Sequence, residues 1–172
     1  MMEATGSTNK PMHIIERGTE GASLRSMEGG LVGTVVGHYS ASQTVFSSDG
    51  RLLACILQSV VEIYDTSKYS LLRSIPVPGT VAVHFSGAAS YLVVCQKANF
   101  SGAKDGKNLS VWELSTGVMV FSCFQRTFNK NDWPTLQFSS DETVACRVVS
   151  NEVHFFCPSD LNPKLKRLRI SD

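Results

Sequence analysis

The sequence has almost no net charge and few charged residues. Its 16 lysine and arginine residues nearly balance its 15 aspartate and glutamate residues, which leaves a net charge of +1, and only 18% of the residues are charged. This balance excludes a strongly basic nucleic-acid-binding arm and an acidic disordered tail. A contact with RNA would therefore need a local patch of charge. The hydrophobic fraction of 42% is sufficient for a packed core.

The sequence also lacks the hydrophobic runs of exported and membrane proteins. Residues 1–30 contain no apolar run of seven or more residues, so no signal peptide is predicted. The uncharged stretch 74–96 is long enough to cross a bilayer, but it contains prolines and glycines and alternates apolar with polar residues. Two β-strands joined by a turn explain it better. We therefore expect a cytoplasmic protein without a membrane partner.

Catalytic and metal-binding motifs are absent from the sequence. The five cysteines contain no C-x-x-C pair, and the four histidines have no metal-ligand spacing. Neither G-x-S-x-G nor a phosphate-binding loop occurs. We interpret the cysteines as buried reduced thiols and the histidines as structural residues. We expect no cofactor, no metal and no enzymatic activity.

The sequence does contain an internal repeat. Its three units begin at Phe46, Phe85 and Phe138 and reach a second aromatic residue at Tyr64, Trp112 and Phe156. This span is 18 residues in the first and third units and 27 in the second, where a polar, glycine-rich insertion at 97–107 accounts for the difference. A period near 40 residues with four short apolar runs per unit is typical of a β-propeller blade.

The repeat predicts an all-β fold of about three four-stranded WD-like blades. The predicted ranges are a disordered tail at 1–30 and a partial propeller at 31–172, with blades at about 40–78, 79–125 and 134–172. Asp49 and Asp141 lie at turns, where aspartate binds backbone amides. Propellers have four to eight blades, so we expect part of a larger propeller or a truncated isoform. The alternative is a small closed β-barrel or sandwich.

One part of the repeat resembles a WD repeat. Gly37-His38 followed by Tyr64-Asp65 matches the GH…WD pattern, in which the histidine and the aspartate form a hydrogen-bonded bracket within the blade. Trp112 takes the place of the tryptophan of that pattern in the second unit. The second and third units lack GH, so the repeats are degenerate.

Several stretches resemble the N-terminal propeller of the eukaryotic translation initiation factor 2A family. The most specific is SNEVHFF at residues 150–156, supported by VFSSDG at 45–50, SGAKDG at 101–106 and FSSDET at 138–143. The order of these stretches and the position of the insertion agree with that family. The resemblance covers about residues 30–172.

The resemblance implies a nine-bladed WD-repeat-like propeller followed by a C-terminal extension. It implies a protein that directs initiator methionyl-tRNA to the small ribosomal subunit without the GTP-dependent factor. The implied partners are the small ribosomal subunit and other initiation factors, with initiator tRNA and mRNA bound through regions absent from this chain. The alternatives are a generic WD-repeat protein-interaction scaffold and a truncated inactive product.

The only local charge bias concerns six basic residues. The candidate RNA contacts are Lys104 and Lys107 in the insertion, and Lys164, Lys166, Arg167 and Arg169 near the end of the sequence. Such side chains bind phosphate groups. The alternative is a solvated outer strand whose lysines discourage pairing with another strand.

Overall fold

The computed structural model describes residues 12–19, 21–28, 31–39, 43–98 and 106–170. They form β-strands joined by turns and loops, with a short 3₁₀ helix at Lys130–Asp132. The predicted all-β fold is therefore confirmed. The chain divides into two compact units, residues 1–40 and 41–172.

The first unit is a three-stranded antiparallel sheet. Its strands are β1 (Met12–Gly18), β2 (Gly21–Glu28) and β3 (Leu31–Tyr39), in that order across the sheet. The sequence-based boundary placed residues 31–39 with the propeller. In the structure, β3 pairs with β2.

The disordered tail predicted for residues 1–30 needs correction at β1 and β2. Neither strand contains a long apolar run, but Ala22 and Leu24 alternate with polar residues and are buried. Arg25 Nε lies 2.7 Å from Glu16 Oε2 on the neighbouring strand. This period-two alternation is the pattern of a strand with one covered face, and it is too short to be conspicuous in the sequence.

The second unit contains three four-stranded antiparallel sheets, which we call blades 1, 2 and 3. Blade 1 consists of β4 (Gln43–Phe46), β5 (Leu52–Ile56), β6 (Val61–Asp65) and β7 (Ser70–Ile75). Blade 2 consists of β8 (Thr80–Phe85), β9 (Tyr91–Gln96), β10 (Leu109–Glu113) and β11 (Val118–Cys123). Blade 3 consists of β12 (Leu136–Phe138), β13 (Ala145–Val149), β14 (Glu152–Cys157) and β15 (Asp160–Arg169). In each blade every strand pairs with the next strand along the chain.

Apolar side chains fill the space between successive blades. Between blades 1 and 2 the core includes Ile56, Ile63, Phe85 and Leu92. Between blades 2 and 3 it includes Val93, Val111, Ala145 and Phe156. The rings of Tyr91 and Phe138 also stack across the second interface, with centroids 5.1 Å apart. The blades therefore bury their faces against one another, as the repeat predicts.

Successive antiparallel strands give each blade two distinct edges. The turn edge contains the turns between the first and second and between the third and fourth strands, at 47–51, 66–69, 86–90, 114–117, 139–144 and 158–159. The loop edge contains the remaining connections, at 57–60, 76–79, 97–98, 106–108, 124–135 and 150–151. Hydrogen bonds join the turn edges of neighbouring blades. Arg147 of β13 also donates to the Phe124 carbonyl oxygen on the loop edge of blade 2.

Candidate functional site

A serine hydroxyl closes the first turn of every blade. The three serines are Ser47, Ser86 and Ser139. Each Oγ accepts a hydrogen bond from the backbone amide five residues later, at 3.0 Å from Leu52, 2.9 Å from Tyr91 and 3.1 Å from Val144. The sequence analysis included these serines in the repeated stretches but gave them no role. The signal was present, because serine follows the phenylalanine in all three units.

In blades 1 and 3 an aspartate binds this serine. Ser47 Oγ donates to Asp49 Oδ1 at 2.7 Å, and Ser139 Oγ donates to Asp141 Oδ1 at 2.6 Å. Burial opposes ionisation of Asp49, but hydrogen bonds from Ser47 and Arg51 outweigh it and lower the pKa to about 2. The hydrogen bond from Ser139 is the main cause that lowers the pKa of Asp141. Both carboxylates therefore stabilise their turns as anions.

Blade 2 lacks an aspartate in its own first turn, and blade 3 supplies a carboxylate. Ala88 stands at the position that aspartate occupies in the other blades. Glu142 Oε1 accepts hydrogen bonds from the backbone amides of Ala88 at 2.8 Å and Ser90 at 3.3 Å. Burial opposes ionisation of Glu142, but these bonds and one with Ser86 lower its pKa.

The first turns of the three blades contact one another in sequence. Ser48 Oγ in blade 1 donates to the Gly87 carbonyl oxygen in blade 2 at 2.7 Å. A Cβ atom added to Gly87 would lie 2.8 Å from the carbonyl oxygen of Ser140 in blade 3. The turn edge is thus a packed row of turns, with room only for glycine at its centre.

The carboxylate of Asp65, which the WD pattern pairs with His38, accepts hydrogen bonds within its own turn. Asp65 Oδ1 accepts hydrogen bonds from the backbone amides of Ser67 at 2.8 Å and Lys68 at 3.0 Å. The hydrogen bond with the Ser67 side chain is the main cause that lowers the pKa of Asp65. The side chain of His38 lies outside the described residues.

The second aromatic residue of each unit packs between blades or finds a polar partner nearby. Tyr64 donates its hydroxyl to Glu62 Oε2 at 2.6 Å, and Trp112 Nε1 donates to Ser110 Oγ at 2.9 Å. Phe156 is buried. These residues therefore contribute to the packing and hydrogen bonding of the blades.

The cysteines and histidines of the blades also have structural surroundings. All five cysteines are free thiols, but only Cys55 and Cys95 are buried as expected, and Cys123, Cys146 and Cys157 are half-buried. Burial raises the pKa of Cys55 to about 12 and that of Cys95 to about 11. His154 is buried with Nε2 2.8 Å from Glu152 Oε2, and burial lowers the pKa of His84. Within the described ranges, no three acidic, histidine or cysteine side chains are grouped as a metal site would require. No helix in the same ranges is long and apolar enough to cross a membrane.

Asn108 organises the loop edge of blade 2. Its buried side chain donates to the carbonyl oxygens of Gln96 at 3.3 Å and Gln125 at 3.0 Å, and it accepts from the Gln125 amide at 2.7 Å. Two segments that are distant in sequence are thereby held together. The residues next to these three bonded residues are basic and exposed: Lys97, Lys107 and Arg126.

The six candidate RNA contacts do not form a single group. Lys107 is exposed on the loop edge of blade 2. Three others are exposed on β15, the outer strand of blade 3: Lys166, Arg167 and Arg169. Arg167 Nη1 lies 3.8 Å from Glu152 Oε2. Lys104 and the side chain of Lys164 lie outside the described residues.

Charges of opposite sign occupy opposite edges of the blades. The turn edge and the strand ends beside it carry two basic residues, Arg51 and Lys68, and six acidic residues, Asp49, Asp65, Glu113, Asp141, Glu142 and Asp160. The loop edge and its strand ends carry two acidic residues, Asp132 and Glu152, and five basic residues, Lys97, Lys107, Arg126, Lys130 and Arg169. Although the sequence has a net charge of only +1, the described residues of the blades therefore separate charges of opposite sign onto opposite edges.

Comparison with known proteins shows that the chain is similar to translation initiation factors. No protein-family model matches it. Eukaryotic translation initiation factor 2A of Schizosaccharomyces pombe is 35% identical over 132 residues, which are 76% of this chain and 22% of the relative. The same factor of Dictyostelium discoideum is 26% identical over 127 residues, which are 74% of this chain and 21% of the relative. The chain spans about a fifth of the length of these relatives.

A solved structure is similar over nearly the whole chain. It is described as a crystal structure of the eukaryotic initiation factor, and it superposes with a TM-score of 0.79 at 27% sequence identity. The match covers 96% of this chain and 42% of that one. The predicted propeller fold is confirmed. The chain belongs to the eukaryotic translation initiation factor 2A family.

Proposed function

We propose that the chain is the part of a translation initiation factor that binds the small ribosomal subunit, and that the loop edge is its contact surface. The family supports a role in initiation, and therefore in the cytoplasm. The observation that carries the proposal is the excess of basic over acidic residues on the loop edge, opposite an acidic turn edge.

The separation of charge gives the chain a preferred orientation towards RNA. Phosphate groups attract the loop edge and repel the turn edge, so the molecule approaches with the loop edge first. Lysine and arginine side chains then displace counterions from the phosphates, which makes the affinity fall as salt rises. Asn108 keeps Lys107 and Arg126 together through its bonds to Gln96 and Gln125, so little ordering accompanies binding.

In the whole protein, this contact would anchor the delivery of initiator methionyl-tRNA to the subunit without the GTP-dependent factor. The contacts with tRNA and mRNA belong, in this proposal, to the large part of the relatives that the chain does not span. The acidic turn edge remains free for other initiation factors. The chain itself acts as a binding scaffold and performs no chemical reaction.

Co-sedimentation with purified small ribosomal subunits tests the proposal. We expect the chain to sediment with the subunits at about 50 mM salt and to dissociate at about 200 mM salt. The variant Lys107→Glu/Arg126→Glu should lose binding at the lower concentration. The matched control, Arg51→Glu/Lys68→Glu, makes the same change of charge on the turn edge and should bind like the wild type. Failure of the wild type to bind at low salt, or equal losses in both variants, would contradict the proposal.

A second candidate function is a protein-interaction scaffold, and a cleft on the turn edge favours it. The cleft lies between blades 1 and 2, has a volume of about 260 Å³, and is lined in part by Asp49, Asp65 and Arg51. Two carboxylates at its wall suit a basic peptide segment. Affinity capture that returns a basic protein in stoichiometric amount, lost in the variant Asp65→Asn, would support this candidate.

A further inference from the structure

One segment of the loop edge combines exposed aromatic rings with cations. Between blades 2 and 3 the chain reads Phe124, Arg126, Phe128 and Lys130 at every second position. Phe124 is 55% exposed and Phe128 is 41% exposed, and both cations are exposed. Large apolar side chains at such exposure have little part in the core, so they are free to meet a ligand.

The backbone at Phe124 and the ring of Phe128 are held in place although both side chains are exposed. The Phe124 carbonyl oxygen accepts a hydrogen bond from Arg147 Nη2 of blade 3 at 3.0 Å. Phe128 packs against Trp133, with ring centroids 5.7 Å apart and the planes tilted by 58°. Trp133 Nε1 in turn donates to the Val83 carbonyl oxygen at 3.4 Å. Both blades therefore position the segment.

The remaining cations join the segment through Asn108. Its bonds to Gln125 bring the backbone next to Lys107 to the segment that carries Phe124 and Arg126, and its bond to Gln96 brings the backbone next to Lys97 to the same edge. Among the residues that the structure describes, no salt bridge engages any of the four cations. The acid nearest in sequence to Lys130, Asp132, accepts a hydrogen bond from Asn129 Nδ2 at 2.7 Å.

We propose that these six residues, Lys97, Lys107, Phe124, Arg126, Phe128 and Lys130, form a binding surface for single-stranded RNA, which we call the loop patch. Its biological setting, the small ribosomal subunit, rests on the function proposed above. Unpaired bases stack on the two phenylalanine rings, and the cations bind the phosphates between them. A duplex offers no free base faces, so the loop patch selects unpaired RNA.

The chemistry of the loop patch favours RNA over an acidic protein segment. An acidic peptide would satisfy the cations but would leave both rings in water. RNA satisfies both features, because every base has a face that stacks and every nucleotide has a phosphate. Stacking also predicts little dependence on base sequence.

Fluorescence anisotropy with a labelled 12-nucleotide oligouridine tests the loop patch on the full 172-residue chain. We expect Phe124→Leu/Phe128→Leu to weaken binding about tenfold, because leucine keeps apolar area but loses the ring. Phe124→Tyr/Phe128→Tyr should bind like the wild type. The variant Lys107→Ala/Arg126→Ala should reduce the slope of log affinity against log salt by about 1.4.

The controls lie on the turn edge. Tyr69→Leu removes an exposed ring there, and Arg51→Ala/Lys68→Ala removes two cations; both should bind oligouridine like the wild type. Thermal melts establish that each variant is folded. The loop patch is overturned if the leucine variant binds as tightly as the tyrosine variant, if duplex RNA binds as tightly as oligouridine, or if polyglutamate displaces the RNA at equal charge concentration.

The same variants separate this inference from the proposed function. If the leucine variant loses oligouridine but keeps the small ribosomal subunit, the loop patch stands and the subunit is bound elsewhere. If it keeps oligouridine but the Lys107→Glu/Arg126→Glu variant loses the subunit, stacking is overturned while the ribosomal contact stands.

Discussion

Glu142 of blade 3 completes the turn that Ala88 leaves without a carboxylate in blade 2, with Oε1 2.8 Å from the Ala88 amide nitrogen. The equivalent turns of the other blades use their own Asp49 and Asp141. The stability of this turn is therefore coupled to the packing of two blades. This coupling can be measured, because substitutions can remove the carboxylate from blade 3 or introduce one in blade 2.

Replacing Glu142 should destabilise the chain, and an aspartate at position 88 should compensate. We expect Glu142→Ala to lower the free energy of unfolding by about 1.5 kcal/mol, because two amides lose a charged acceptor. Adding Ala88→Asp in that background should restore about half of the loss, since the turn then has an aspartate like the first turns of blades 1 and 3. Urea unfolding of the four members of this double-mutant cycle measures the coupling.

The control for this cycle is Ala88→Asp alone. With Glu142 still present, two carboxylates would compete for Ser86 and the Ser90 amide, so the single variant should gain no stability. Additive effects of the two substitutions would show that Glu142 does not take the place of the missing aspartate.

Gly87 should not tolerate a side chain. A Cβ there would approach the Ser140 carbonyl oxygen to 2.8 Å, so Gly87→Ala must separate blades 2 and 3. We expect a loss of about 2 kcal/mol in the free energy of unfolding. Gly18→Ala is the control, because a Cβ at Gly18 meets no atom within 4 Å. Equal midpoints for Gly87→Ala and the wild type in urea would contradict the close approach.

The sequence was sufficient to predict the blades because their signal is local. A phenylalanine, a turn and a second aromatic residue recur within 18 residues in two units and within 27 in the unit with the insertion, and the pleat repeats every two residues. The contact of Glu142 with Ala88 spans 54 residues, and alanine carries no sign of a missing partner. Nothing in the sequence relates the two.

The residues of the loop patch were also only partly predictable from the sequence. Lys107 was a candidate from its sequence alone, but Arg126 and Lys97 were not. They become neighbours only through the hydrogen bonds of Asn108, which looks like an ordinary loop residue in the sequence. Conversely, Lys166 and Arg169 form a cluster in sequence but lie on the outer strand of a different blade from Lys107.

The chain should lose stability in acid as its turn carboxylates are protonated. The pKa of Asp49 falls from its usual value of 3.8 to about 2, and the pKa of Glu142 is lowered from 4.5. At a pH between the folded and the unfolded pKa of either carboxyl group, the unfolded chain binds more protons than the folded chain. The stabilisation is therefore complete above about pH 4.5 and is lost as the pH falls towards 2.

Urea midpoints measured between pH 6 and pH 2.5 test this dependence. Asp49→Asn cannot be protonated in this range, so its midpoint should fall less steeply than that of the wild type. Asp132→Asn is the control, because Asp132 does not take part in the turn edge. A wild-type midpoint independent of pH, or the same slope in Asp49→Asn, would contradict the role of the turn carboxylates.

The same substitution should have different effects on the two blades that carry valine on corresponding faces. Val93 of blade 2 is fully buried against blade 3, whereas Val148 of blade 3 is 57% exposed. Val93→Ala should lower the free energy of unfolding by about 2 kcal/mol, since it removes buried apolar area and leaves a cavity. Val148→Ala should change it by less than about 0.5 kcal/mol, because its side chain is already largely in water. Urea unfolding of both variants measures the difference, and a loss at Val148 as large as that at Val93 would mean that this face of blade 3 is covered in solution.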